Sequence, residues 1–191
     1  IMRPDGSTYH TFFFDPETGA PIKGVTSQGA ADDSCWARGQ AWGVYGTMLT
    51  QAYHPNDMAI EKFKKISDYF LAHLPEDSIP FWDMCFTDGS DEPRDSSSAA
   101  IAICGLLEGC KFLPDDDADK ERYLKAANSM MKSLIDGYMT DTVPESNGLL
   151  LHAVYSKPGN NGVDECNIWG DYFFMEAIIR FVTNNEWKLY W

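Results

Sequence analysis

Ser96–Cys110 reads SSSAAIAICGLLEGC, a run with a single charged residue, Glu108, and no polar face. A helix of this composition is apolar nearly all round and has to be buried on every side. Two further stretches share its character: Asp33–Gln51 (DSCWARGQAWGVYGTMLTQ) and Ile168–Phe181 (IWGDYFFMEAIIRF). Between these three lie two segments of another kind, Asn56–Leu74 and Asp119–Tyr138. In the first, Ile60, Phe63, Ile66, Phe70 and Leu74 recur at spacings of three and four; in the second, Tyr123, Leu124, Ala127, Met130, Met131 and Leu134 do the same. Such a stripe buries one face and wets the other. An all-round apolar helix sits inside and an amphipathic one covers it, so the order is inner, outer, inner, outer, inner.

This alternation is a weak internal repeat with a period of roughly 65 residues. Its physical solution is an all-α layered toroid, an inner ring of helices wrapped by an outer ring. Gly39, Ala41, Gly43 and Gly46, with Ala99, Ala100, Ala102 and Gly105, let inner helices approach closely. Only about half a closed ring is present, and a half ring leaves apolar faces open along both broken edges. Asp32 or Asp33 is expected to cap the first inner helix, Asn56 the first outer one, and Asp95 or Ser96 the second inner one. Pro55 and Pro114 mark connections before the outer helices. Long loops rich in turn-forming residues, 1–32, 75–94 and 139–167, precede the inner helices and are expected to gather on one rim. Thr11–Phe14 and Leu149–Tyr155 read as short strands there.

Composition narrows the function. Fifteen Lys and Arg face 29 Asp and Glu, a net charge of −14 that repels a phosphate backbone and argues against nucleic acid. No run approaches the roughly 20 apolar residues of a membrane span, and no signal-peptide pattern opens the chain. The chain starts at Ile1 rather than Met, which implies residues upstream. Cys35, Cys85, Cys104, Cys110 and Cys166 are odd in number and unpaired in spacing, as expected of buried free thiols in a reducing cytoplasm. His10, His54, His73 and His152 carry no metal-ligand spacing. Aromatics at 14% fill a core or provide platforms for sugars.

The densest chemistry is the run from Gln28 to Gly43, QGAADDSCWARGQAWG. An Arg this near a helix N-terminus opposes the macrodipole and needs a local partner, Asp32 or Asp33. Arg38 then has two readings: a guanidinium that holds a carboxylate ligand, or a structural Arg–Asp bridge with Trp36 and Trp42 in the core. His10 and Tyr155 are either loop and packing residues or site groups, and Asp83 and Arg94-Asp95 either site groups or caps. Gly-x-Ser-x-Gly, P-loop and dinucleotide signatures are absent.

Four segments together resemble the unsaturated glucuronyl hydrolases, glycoside hydrolase family 88: Thr8-Tyr9-His10-Thr11 through Gly19; Gln28 through Gly43; Pro93-Arg94-Asp95-Ser96-Ser97-Ser98-Ala99-Ala100; and Asn167-Ile168-Trp169-Gly170-Asp171-Tyr172-Phe173-Phe174. The unsaturated rhamnogalacturonyl hydrolases have a similar Trp-Ala-Arg-Gly stretch but usually continue with Asn and Gly where this chain has Gln40 and Ala41. The resemblance covers essentially the whole chain and implies that residues 1–191 are the C-terminal part of one (α/α)6-barrel catalytic domain. It implies an activity: release of a 4,5-unsaturated uronic acid from the non-reducing end of oligosaccharides, by protonation of the vinyl ether at C4 and addition of water at C5, with no metal or organic cofactor. It further implies substrate contacts at His10, Gln28, Trp36, Arg38, Trp42 and Tyr155, with Arg38 as local cation, Trp36 and Trp42 flanking the sugar, and His10 and Gln28 as hydrogen-bonding groups. The family's catalytic Asp lies upstream of the His10 segment, so the catalytic position here is unknown and the N-terminal half of the barrel is an expected partner. A non-catalytic sugar-binding domain and an unrelated helical scaffold are the competing readings. In Ser156–Gly162 (SKPGNNG), Ser156 and Lys157 stand beside neutral Asn160 and Asn161, which favours unsulfated or lightly sulfated substrates.

Overall fold

The computed structural model describes residues 1–186 and 188. Five long helices carry the fold: α1 (Ala37–Tyr53), α2 (Asp57–Ala72), α3 (Ser96–Cys110), α4 (Ala118–Gly137) and α5 (Ile168–Val182). Two hairpins precede inner helices, β1 (Thr11–Phe14) with β2 (Pro21–Val25) and β3 (Ala153–Ser156) with β4 (Asn161–Glu165), both antiparallel. All of α3 is buried, as its composition demands. It packs against α1 on one side and α5 on the other, while α4 covers it and α2 covers α1. Of the expected stripes the outer helices bury Phe63, Ile66 and Phe70 on α2 and Tyr123, Ala127, Met130, Met131 and Leu134 on α4, while Ile60, Leu74 and Leu124 are only partly buried.

Close approach between inner helices requires glycine at one position above all. A Cβ on Gly105 would lie 2.7 Å from the Tyr45 backbone nitrogen and 2.9 Å from the Val44 carbonyl carbon, so α3 and α1 meet backbone to backbone. At the far end from the hairpins the three inner helices share a buried polar cluster. Arg180 of α5 donates from Nε to Glu176 at 2.8 Å and from Nη1 to Glu108 of α3 at 2.6 Å. Tyr45 of α1 donates to the Glu176 carboxylate at 3.3 Å. Both broken edges are open. Ile168, Tyr172, Met175 and Val182 of α5 are exposed, and a groove of about 580 Å³ between α4 and α5 is lined by Met131, Ile135, Phe174, Ile178 and Phe181. On the other edge a groove of about 350 Å³ runs past Trp42, Gly43, Gly46 and Asn56.

Several expectations are corrected. Helix α1 begins at Ala37, not Asp33, because residues 30–36 are held against the 81–84 segment. Ala37 N–H donates to Trp82 O at 3.1 Å and Met84 N–H to Cys35 O at 2.9 Å. Trp36 therefore occupies the N-cap with no side-chain cap, and Asp32 accepts instead from Thr26 N–H at 2.8 Å. Asp95 holds the N-cap of α3, but its side chain bonds none of that helix's amides. Asn56 does cap α2, accepting from Ala59 N–H at 3.0 Å. Caps at Asp117 on α4 and Asn167 on α5 escaped the sequence reading. Strands β2 and β4 did too, because each is polar or glycine-broken and owes its form to its partner. Cys35, Cys104 and Cys110 are buried free thiols; Cys85 is exposed and Cys166 partly so, contrary to expectation.

Candidate functional site

The three long loops meet at one rim, above the N-termini of α1, α3 and α5. Asp83 fastens the first to the second. Its fully buried carboxylate accepts from Ala30 N–H at 2.9 Å, Ser34 Oγ at 2.6 Å and Cys85 N–H at 3.1 Å. Glu92 fastens the second to the third, accepting from Trp82 Nε1 at 2.8 Å and pairing with Lys157 Nζ at 3.0 Å. Asp83 is thus a loop anchor, and Lys157 is a neutralised cation.

Arg38 sits at the centre of the rim. It is 3% exposed, and its partner is Asp95, at 3.1 Å, rather than Asp32 or Asp33. The chain brings this pair together across 57 residues, which no local spacing announces. Nη1 also donates to Val154 O. Nη2 donates to Tyr155 O at 2.7 Å and to Gln28 Oε1 at 3.1 Å. All four terminal N–H groups are therefore committed within the chain. The guanidinium lies 4.6 Å from the Trp36 ring centre and 5.2 Å from that of Trp169, so two indoles flank it. Burial lowers its pKa, and the Asp95 charge opposes that shift.

His10 packs edge-on against Trp36, ring centres 4.9 Å apart. Its Nδ1 accepts from Ser27 N–H at 3.1 Å, which puts the proton of the neutral ring on Nε2. Desolvation first, and the Arg38 charge second, lower its pKa below the usual histidine value. On the opposite flank the exposed Tyr155 ring lies against Trp169 at 5.6 Å.

Five of the six residues expected at the site therefore form one constellation: His10, Gln28, Trp36, Arg38 and Tyr155. Trp42 stands apart; its ring contacts Phe173 of α5 at 5.2 Å and borders the open edge beyond α1. One member, Trp169, and one partnership, Asp95 with Arg38, were not foreseen. Trp169 completes the aromatic sandwich, and its place in the first turn of an inner helix, beside the hairpin rim, was the available signal. Asp95 carried no such signal for its ion pair. The accessible chemistry of the cluster is hydrogen bonding from His10 Nε2 and the Gln28 amide beside an aromatic surface. Asp83 and Asp95 are buried with both carboxylate oxygens bonded, and Glu92 is paired with Lys157 and Trp82 through one oxygen. No group of three or more His, Cys, Asp or Glu side chains converges to hold a metal among the described residues.

No protein-family model matches the chain. Over its full length it is 52% identical to the unsaturated chondroitin disaccharide hydrolase of Streptococcus pneumoniae, of which it spans 48%. It is 41% identical, over 94% of its length, to the unsaturated glucuronyl hydrolase of a Bacillus species, again spanning 48% of that relative. The crystal structure of an unsaturated glucuronyl hydrolase from Streptococcus agalactiae matches it with a TM-score of 0.95 at 51% identity, covering all of this chain and 48% of the other. A mutant of that enzyme complexed with dGlcA-GalNAc6S matches with a TM-score of 0.89, covering 50% of its chain. The chain thus spans about half the length of the relatives it matches. Those structures are (α/α)6 barrels, and the alternation of α1 to α5 is about half of one. Nothing in the comparisons favours a rhamnogalacturonyl hydrolase or a non-catalytic binding domain.

Proposed function

This chain matches, over its whole length, the C-terminal half of the unsaturated glucuronyl hydrolases, and from that premise we propose that it supplies the sugar-binding wall of such an enzyme. The complete protein releases a 4,5-unsaturated uronic acid from the non-reducing end of lyase-generated oligosaccharides. The observation that carries the reading is the His10–Trp36–Arg38–Trp169–Tyr155 constellation with Gln28 beside it, on the rim where the loops entering the inner helices converge.

The chemistry suits a wall that binds without an acid of its own. A proton added at C4 of the vinyl ether leaves an oxocarbenium-like cation at C5, and water adds there and gives up its proton. The C5 hemiketal opens to a ketone, C1 becomes a hemiacetal, and loss of the aglycone alcohol completes a hydrolysis that consumes one water. The Asp that moves the proton is assigned to the complementary half of the barrel, whose helices would close the apolar edges beside α1 and α5. Within this chain, Tyr155 and the Trp36–Trp169 sandwich offer apolar surface to the ring. His10 Nε2 and the Gln28 amide donate to hydroxyl or carboxylate oxygens. Arg38 acts mainly by holding Gln28 and β3, because its charge is balanced by Asp95.

Similarity to a chondroitin disaccharide hydrolase makes the unsaturated chondroitin-type disaccharide the first substrate to test. The Glu92–Lys157 pair leaves no unbalanced lysine in that loop, which supports unsulfated or lightly sulfated forms. The test follows loss of the enol-carboxylate ultraviolet absorbance when the complete polypeptide meets the unsulfated disaccharide. Decay is expected, and it should be faster than with a 6-sulfated one. A flat trace from folded complete protein rejects the activity. Unchanged sulfate preference in Lys157→Ala removes that loop from the specificity.

A further inference from the structure

We propose that Asp95 is a positioning residue: through Arg38 it sets the Gln28 side chain and the β3 edge that carries Tyr155. The inference rests on the hydrolase reading for its functional half and on geometry for the rest. Asp95 is fully buried at the start of α3. Its Oδ1 accepts from Ser97 Oγ at 2.5 Å and Val154 N–H at 3.3 Å. Its Oδ2 accepts from Ser98 Oγ at 2.7 Å and Arg38 Nη1 at 3.1 Å. The carboxylate spends none of its capacity on the amides of α3, although it stands at their N-cap. All of it goes to orienting side chains and one strand.

The consequence passes through Arg38, whose four terminal N–H groups reach Asp95, Val154 O, Tyr155 O and Gln28 Oε1. A planar guanidinium cannot turn to abandon one of these without disturbing the others. With Asp95 in place, Gln28 presents its amide N–H groups outward, because its oxygen is taken. Arg38 and Asp95 both grip Val154, so the strand that carries the exposed Tyr155 ring is fixed from two sides. Asp95 itself is too deep to touch a ligand. Its effect on substrate must therefore appear in binding rather than in proton transfer.

Asp95→Asn keeps the shape but removes the charge that pairs with Arg38 and turns one of the two acceptors into a donor. In the complete polypeptide it should raise KM for the unsaturated disaccharide about tenfold while kcat stays within about threefold. Arg38→Gln should raise KM as well, and the double variant should be no more than about twofold worse than Arg38→Gln alone, because Asp95 acts through that side chain. An unchanged KM in Asp95→Asn, or KM effects that multiply in the double variant, overturns the proposal. If Asp95→Asn does not fold, Ser98→Ala loosens the carboxylate without removing its charge. It should then raise KM about two- to threefold, and an unaltered KM overturns the proposal equally. Should the wild-type protein fail to hydrate the disaccharide, the hydrolase reading falls and hydrogen exchange decides the positioning claim. Faster exchange across 153–156 and 26–34 in Asp95→Asn or Ser98→Ala supports it, and unchanged exchange rejects it.

Discussion

Replacing Gly105 by alanine should destabilise the protein, although alanine is the better helix former. In a helix interior the exchange by itself favours folding by about 1 kcal/mol. The packing opposes it. The new Cβ would sit 2.7 Å from Tyr45 N and 2.9 Å from both Tyr45 Cα and Val44 C, and ordinary contact begins at 3.4 Å. The shortfall is therefore 0.5–0.7 Å against backbone atoms, which cannot rotate away as a side-chain tip would. Helices α1 and α3 would have to separate along a seam that is buried on all sides. Overpacking of this kind costs about 1–3 kcal/mol, and rigid backbone on both sides points to the upper part of that range. The net loss is then about 1–2 kcal/mol after the propensity gain. Gly137→Ala is the control, since no heavy atom lies within 4 Å of the Cβ it would add at the end of α4. That variant should match wild type or gain up to about 1 kcal/mol. Urea unfolding of the complete polypeptide, compared at constant m-value, measures both. Stability of Gly105→Ala equal to or above wild type would refute the backbone-to-backbone packing of α1 on α3.

Removing the guanidinium of Arg180, as in Arg180→Met, leaves the buried Glu176 carboxylate without a cation and Glu108 with Lys111 alone; about 3–5 kcal/mol should be lost in the same assay. A loss under about 1 kcal/mol would mean that water reaches the cluster. His10 should titrate below pH 6.5 by NMR, and Arg38→Gln should move its midpoint upward by removing one of the two causes. With the folded value depressed, the stability contributed by neutral His10 is complete above pH 6.5. It is lost as pH falls from there through the folded value, so stability should decline more gently in His10→Gln. Cys85 is exposed, yet burial of its sulfur and the nearby Asp83 charge push its thiol to about 12. At pH 8 it should react with iodoacetamide roughly 30-fold more slowly than a free cysteine, allowing for the greater nucleophilicity of its thiolate. Labelling at the free-cysteine rate would show that the thiol is open to water.

Local composition carried the architecture. Ser96–Cys110 has no face that water would accept, so α3 had to be central, and the stripes at Phe63, Ile66 and Phe70 and at Tyr123, Ala127 and Met130 had to cover such helices. Those are properties of single segments, legible from spacing alone. The rim was legible in outline as well, because long turn-rich loops precede the inner helices, and the resemblance drew five residues that do meet there. What the sequence could not hold was partnership. The start of α1 moved to Ala37 because the Trp82–Met84 backbone claims the residues ahead of it. Trp42 and Arg38 lie one turn apart on the same helix, yet Trp42 faces Phe173 at the open edge and Arg38 faces the rim. From spacing alone Arg38 read either as a cation for a ligand or as half of a bridge to Asp32 or Asp33. Only the fold could bring Asp95 to it, because that ion pair closes between helices distant in the chain, and with it the site's cation becomes its framework.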